Sequence, residues 1–213
     1  MTKTKAKETE RPWDAVVCDL DGVIRLWGTE MADAEREFDL DPGVLAGAAF
    51  EPGLLGAAVT GALSDEQWRA RTGASLVGAC GGLAKARALI ARWSEKVGRA
   101  DPEMVELIAL LRRGGTPVVL LSNATTRLES DLRQLGLDGA FDAVVNTARE
   151  GVAKPDPEVF RIAAQRAGAK PERCVFVDDT AAHLAGADAV GMGTVRYVGA
   201  GPLRKELAPL LDG

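Results

Sequence analysis

Short apolar runs that alternate with helix-like stretches constrain this chain more than any other feature. "WDAVVC" (13–18), "TPVVLL" (116–121), "FDAVVN" (141–146) and "RCVFV" (173–177) read as buried strands, and "GTVRYV" (193–198) as a weaker fifth. Between them lie patterns with a 3.6-residue period. In "DPEMVELIALLRR" (101–113), Asp101 suits an N-cap and Pro102 the first helical position. Val105, Ile108 and Leu111, with Leu107 and Leu110, form its apolar stripe. "DPEVFRIAAQRAG" (156–168) repeats the Asp-Pro start and ends on glycine, as does "TTRLESDLRQLG" (125–136). "TAAHLAGADAVG" (180–191) and "GPLRKELAPLLDG" (201–213) complete the alternation. Such an order predicts an α/β chain of parallel βαβ units with right-handed crossovers.

One interval breaks the rhythm. Residues 19–115 separate the first two strands, where a single crossover helix would suffice. The excess holds five helix patterns, "EMADAEREFDL", "DPGVLAGAAF", "PGLLGAAVTGAL", "SDEQWRART" and "AKARALIARWSEKV", and no strong strand. The expected division is an α/β core of residues 13–27 and 99–213 with a small helical domain inserted over 28–98. Residues 1–12, polar and charged, read as a disordered tail.

Polar residues follow several of the apolar runs. Asp19 and Asp21 come directly after "AVVC" and flank Leu20. Like charges this close repel unless a cation or a proton intervenes. A calcium loop starting at Asp19 would need a polar fifth residue and a glycine sixth, where Val23 and Ile24 stand. The remaining readings are a solvated turn or a paired-carboxylate site at a strand's C-terminal end, where open α/β sheets bind ligands. Ser122-Asn123 follows the second run, as a helix N-cap or as an anion-binding turn. Lys154 precedes "PDP", which stiffens the backbone around it; it is either a solvated loop lysine or a fixed charge for a phosphate. Asp178-Asp179-Thr180 follows the fourth run. With Asp19 and Asp21 these acids make a hard-oxygen set suited to Mg²⁺. If the strands are neighbours, their ends converge.

Bulk properties exclude several classes. A net charge of −5 and a pI of about 5.1 disfavour nucleic acid or an anionic membrane as partner. No apolar run approaches the roughly 20 residues of a membrane span, and the N-terminus lacks an apolar signal core. The expected location is cytoplasmic. Cys18, Cys80 and Cys174 have no metal-ligand spacing; Cys18 and Cys174 sit within strand-like runs as buried thiols. His183, the one histidine, follows no GxSxG elbow, so a Ser-His-Asp triad is set aside.

The pieces "DLDGVI", "SNAT", "KPDP" and "VDDT", in this order, resemble the haloacid dehalogenase-like (HAD) hydrolase superfamily over about residues 13–200. The resemblance implies a Rossmann-like three-layer core whose five-stranded parallel sheet is ordered 5-4-1-2-3, with a helical cap after the first motif. It implies Asp19 as nucleophile, forming an aspartyl-phosphate, and Asp21 as general acid and then base. Asp19, the Asp21 carbonyl and Asp179 would hold Mg²⁺, with Asp178 helping through water. Ser122 and Lys154 would bind phosphoryl oxygens, and Asn123 would support that loop. Where His183 falls, many relatives have a small or amide side chain, so a surface or supporting position is expected for it. The dehalogenases proper lack the second acid, so Asp21 favours phosphate over carbon–halogen chemistry.

The expected function is therefore a Mg²⁺-dependent phosphatase for a small phosphorylated metabolite, as monomer or homodimer. A phosphomutase acting on a sugar phosphate, or a phospho-ligand-binding protein without turnover, are the alternatives. Trp27, Trp68 and Arg71 are candidates to face the site, and Trp68 fits the insertion's own core equally well.

Overall fold

A computed structural model of the chain describes residues 11–211. Seven strands occur among them: β1 (Ala15–Cys18), β2 (Arg25–Leu26), β3 (Arg99–Ala100), β4 (Val118–Ser122), β5 (Ala143–Asn146), β6 (Cys174–Asp178) and β7 (Gly193–Arg196). Five form a parallel sheet in the lateral order β5-β4-β1-β6-β7. Counting only those five along the chain, the order from the β7 edge is 5-4-1-2-3. β2 and β3 form a separate antiparallel pair that the sequence pattern did not announce. Two-residue strands are too short to show a period.

The insertion between β2 and β3 folds as five helices: α1 (Glu30–Glu37), α2 (Val44–Ala49), α3 (Pro52–Val59), α4 (Asp65–Ser75) and α5 (Leu83–Ser94). It has its own apolar cluster, including Leu45, Trp68, Leu89 and Trp93. Trp68 and Trp93 meet edge to face at 5.3 Å, so Trp68 is insertion core, while Arg71 is exposed. β2 and β3 pair at the point where the chain leaves and rejoins the core.

After β3 come α6 (Pro102–Arg113), α7 (Leu128–Gln134), α8 (Thr147–Glu150), α9 (Pro157–Ala167), α10 (Ala181–Asp188), α11 (Ala200–Glu206) and α12 (Ala208–Leu211). Asp101 and Asp156 cap α6 and α9 by accepting from Glu103 N and Glu158 N, with proline next in each case. Residues of α6, α7, α11 and α12 cover one face of the sheet. Residues of α9 and α10 cover the other. The result is a three-layer α/β core. All three cysteines are buried and free.

Two expectations shift. The helix expected from Thr125 begins at Leu128, because the hydroxyls of Thr125 and Thr126 are bonded to Asp65 of the insertion instead. The expected tail falls on residues 1–10, outside the described residues, and on 11–12, which are held: Arg173 donates to the carbonyls of Arg11 and Pro12. No helix among the described residues is long and apolar enough to cross a membrane.

Candidate active site

The sheet register places the chemistry. Cys18 is level with Val177, so Asp19 follows β1 beside Asp178, and the Asp19 N–H donates to the Val177 carbonyl at 2.9 Å. Ser122 ends the neighbouring strand β4. These ends open onto one cavity of roughly 370 Å³, lined by Asp19, Asp21, Gly22, Ser122, Asn123, Lys154, Asp179, Thr180 and His183. Six of the seven expected site residues therefore share one space. Asp178 is the exception.

Asp19 is 6% exposed. Burial pushes its carboxyl up to about 6; Asp178 adds to this, and Lys154 opposes it. The Lys154 ammonium, itself buried, lies 2.7 Å from Asp19 Oδ1 and 2.7 Å from Asp178 Oδ2. Its main chain is fixed by Asn123, whose Nδ2 donates to the Lys154 carbonyl while Oδ1 accepts from the Lys154 N–H. Asn123 thus spends its amide on positioning Lys154, and it also lines the cavity. The loop-supporting role agrees with the geometry.

Asp178 is completely buried. Its carboxylate accepts from Lys154 Nζ, from the Thr180 N–H at 2.8 Å and from His183 Nδ1 at 3.0 Å. Burial pushes this group up, but the His183 bond, Lys154 and the Thr180 N–H outweigh it and hold the carboxyl below the ordinary range. Asp178 is therefore a buried brace for Lys154 and His183. His183 turns Nδ1 onto that brace, leaving Nε2 directed away from Asp178. The expectation of a supporting position for His183 fits this geometry, and the residue also reaches the cavity wall.

Asp21 is held by three donors. Arg25 Nε and Nη2 donate to its two oxygens at 2.7 and 2.8 Å, and Trp27 Nε1 donates to Oδ1 at 2.6 Å. Arg25 is buried and continues to Asp131 on α7, which also accepts from Arg127. Arg25 and Asp131 were absent from the sequence expectations. Their only local sign is Arg25 four residues after Asp21, outside any helix.

The residues present fit a divalent cation. Asp19, Asp21 and Asp179 all line the cavity, and their carboxylate and carbonyl oxygens are hard donors of the kind Mg²⁺ takes. Gly22 has φ +80°, and a Cβ there would collide with the Asp179 carboxylate, so the glycine leaves room for that acid beside Asp21. Asp19, Asp178 and His183 also bring ligand atoms within 4.8 Å of one another, but Lys154 already holds both carboxylates there. The fit is thus on the Asp19–Asp179 side.

The insertion is tied to the same loop. Buried Asp65 accepts from Thr125 Oγ1 at 2.8 Å, and its N–H donates to Thr126 Oγ1 at 2.9 Å. Thr147 Oγ1 donates to the Val59 carbonyl at 2.7 Å, and Arg127 Nη1 to the Ser94 carbonyl at 2.8 Å.

Comparison with known proteins agrees with this architecture. The chain is 34% identical over 113 residues to (S)-2-haloacid dehalogenase 4A of Burkholderia cepacia, covering 52% of this chain and 49% of that protein. It is 35% identical over 97 residues to glyceraldehyde 3-phosphate phosphatase of Methanopyrus kandleri, covering 45% and 42%. The chain spans about half or less of the curated relatives it matches. A HAD family enzyme of Bacteroides thetaiotaomicron, in complex with magnesium and inorganic phosphate, shares the fold at TM-score 0.68 and 19% identity, covering 86% of this chain and 93% of that one. The family model described as haloacid dehalogenase-like hydrolase matches residues 13–191, from just before β1 to just past α10, and the chain belongs to that family.

Proposed function

We propose that this chain is a Mg²⁺-dependent phosphatase that hydrolyses a small phosphorylated metabolite through an aspartyl-phosphate on Asp19. The observation that carries the reading is the convergence of Asp19, Asp21, Ser122, Lys154 and Asp179 on one cavity. Asp19, held by Lys154 and by its own strand, serves as the nucleophile in this reading. Its oxygen attacks phosphorus, the bond to the ester oxygen breaks, and that oxygen takes a proton from Asp21. Water then attacks phosphorus as Asp21 takes a proton from that water, and the phosphorus–Asp19 bond breaks to restore the carboxylate. Lys154 and the Ser122 hydroxyl hold phosphoryl oxygens.

Asp19, Asp179 and the Asp21 carbonyl would hold a divalent ion, whose charge would let a carboxylate approach a phosphate dianion. The insertion takes the part of a cap that excludes water and selects the leaving group.

One observation favours a second reading. Both Asp21 oxygens are engaged by Arg25, so proton delivery requires Asp21 to turn away from it. Displacement of halide from carbon by Asp19 needs no such acid, and haloacid dehalogenases stand among the relatives. A panel of sugar phosphates, glycolate phosphate, nucleotides and 2-chloropropionate, assayed with magnesium and with a chelator, separates the two. The phosphatase reading expects magnesium-dependent phosphate release that Asp19→Asn abolishes. Chloride release without phosphate release would reverse the assignment.

A further inference from the structure

Trp27 is exposed over 47% of its surface, unusual for the largest apolar side chain. Phe50, Leu83 and Val198 are also exposed, but Trp27 is bonded to the cavity wall through its 2.6 Å contact with Asp21 Oδ1. The ring is also stacked. The Arg25 guanidinium carbon lies over it, 4.7 Å from the centroid. Arg25 cannot drift, because its fork is fixed on Asp21 and its other nitrogen on Asp131. At Gly98, where the chain re-enters the core, a Cβ would crowd both Arg25 and the indole, so the glycine leaves room for them.

The Arg25 guanidinium thus lies against the ring of a side chain that stands beside the cavity lining and keeps 47% of its surface exposed. The indole is anchored at its nitrogen and on one face before any ligand arrives. A rigid aromatic surface stacks a second flat group at small entropic cost. It stands one hydrogen bond from Asp21, the residue that must meet the ester oxygen.

We propose that Trp27 forms the subsite for the alcohol portion of the phosphate ester and selects leaving groups with a flat apolar face, an aromatic ring above all. The proposal rests on the reading of the cavity as a phosphate-ester site. It assigns specificity to the segment joining the core to the insertion, not to the apolar interior of the insertion, where Trp68 and Trp93 are spent on packing.

The test measures binding of phenyl phosphate and ethyl phosphate to the full chain carrying Asp19→Asn, by calorimetry with magnesium present. The Asp19→Asn protein should bind phenyl phosphate more tightly than ethyl phosphate. Adding Trp27→Ala should weaken phenyl phosphate about tenfold and ethyl phosphate less than about twofold. Trp27→Phe keeps a ring and drops the N–H to Asp21, and should retain the phenyl preference to within about threefold. Equal weakening of both esters by Trp27→Ala, equal affinity for both in the Asp19→Asn protein, or binding of neither would overturn the proposal. Phosphate release by the wild-type chain is a separate measurement. If none occurs while the binding pattern holds, the hydrolase reading falls and the subsite stands.

Discussion

The Lys154 ammonium stands 2.7 Å from Asp19 Oδ1, and both side chains are buried. The same ammonium also holds Asp178, so one cation serves two buried carboxylates. Removing it leaves both uncompensated. Lys154→Met should destabilise the fold by about 3–5 kcal/mol in urea unfolding and abolish turnover. Lys154→Arg should not restore turnover, because a planar fork cannot set one compact charge between two carboxylates.

Asp19 itself should cost stability at neutral pH. Burial raises its folded-state value to about 6 from the ordinary 3.8, so the folded chain holds this proton more tightly than the unfolded one. The contribution is full below about pH 4 and is lost as pH rises through about 6. Asp19→Asn, with no such proton to lose, should be more stable than wild type at pH 7 by at most about 3 kcal/mol. The advantage should shrink toward pH 4. Thermal unfolding across that range, with and without magnesium, checks this, and magnesium should raise the Tm of the wild type more than that of Asp19→Asn.

Asp21 should matter most when the leaving oxygen needs a proton. Asp21→Asn should lower kcat by about 10²–10⁴. In rapid-quench measurements of the first turnover, the loss should be larger for ethyl phosphate than for p-nitrophenyl phosphate, whose leaving oxygen departs unprotonated.

The strand-end acids were legible because an apolar run followed by a polar residue is a local pattern, repeated at Asp19, Ser122 and Asp178. The parallel α/β class followed from alternation and the helical insertion from one overlong interval, while the strand order came from the resemblance to the HAD superfamily. What escaped the sequence was partner choice. The Arg25–Asp131 bond joins residues 106 positions apart and the Thr125–Asp65 bond residues 60 apart, and neither has a local signature. Asp178 and Asp179 look equivalent on paper. The strand's alternation buries the first beneath Lys154 and turns the second to the cavity.

The Asp65–Thr125 bond ties the insertion to the loop that follows Ser122. A double-mutant cycle of Asp65→Asn and Thr125→Val should show coupling of about 1–2 kcal/mol in unfolding. Either single change should raise KM more than it lowers kcat, as expected when a ligand loop loosens while Asp19 stays in place.

Oxygen tracing tests the central claim most directly. If Asp19 attacks phosphorus and water then attacks that same phosphorus, turnover of a phosphate ester in H₂¹⁸O places the label in released phosphate and none in Asp19. Mass spectrometry of the phosphate and of the Asp19 peptide reads both. Label appearing in the Asp19 carboxylate, with 2-chloropropionate as the substrate consumed and no phosphate released from any ester, would contradict the account.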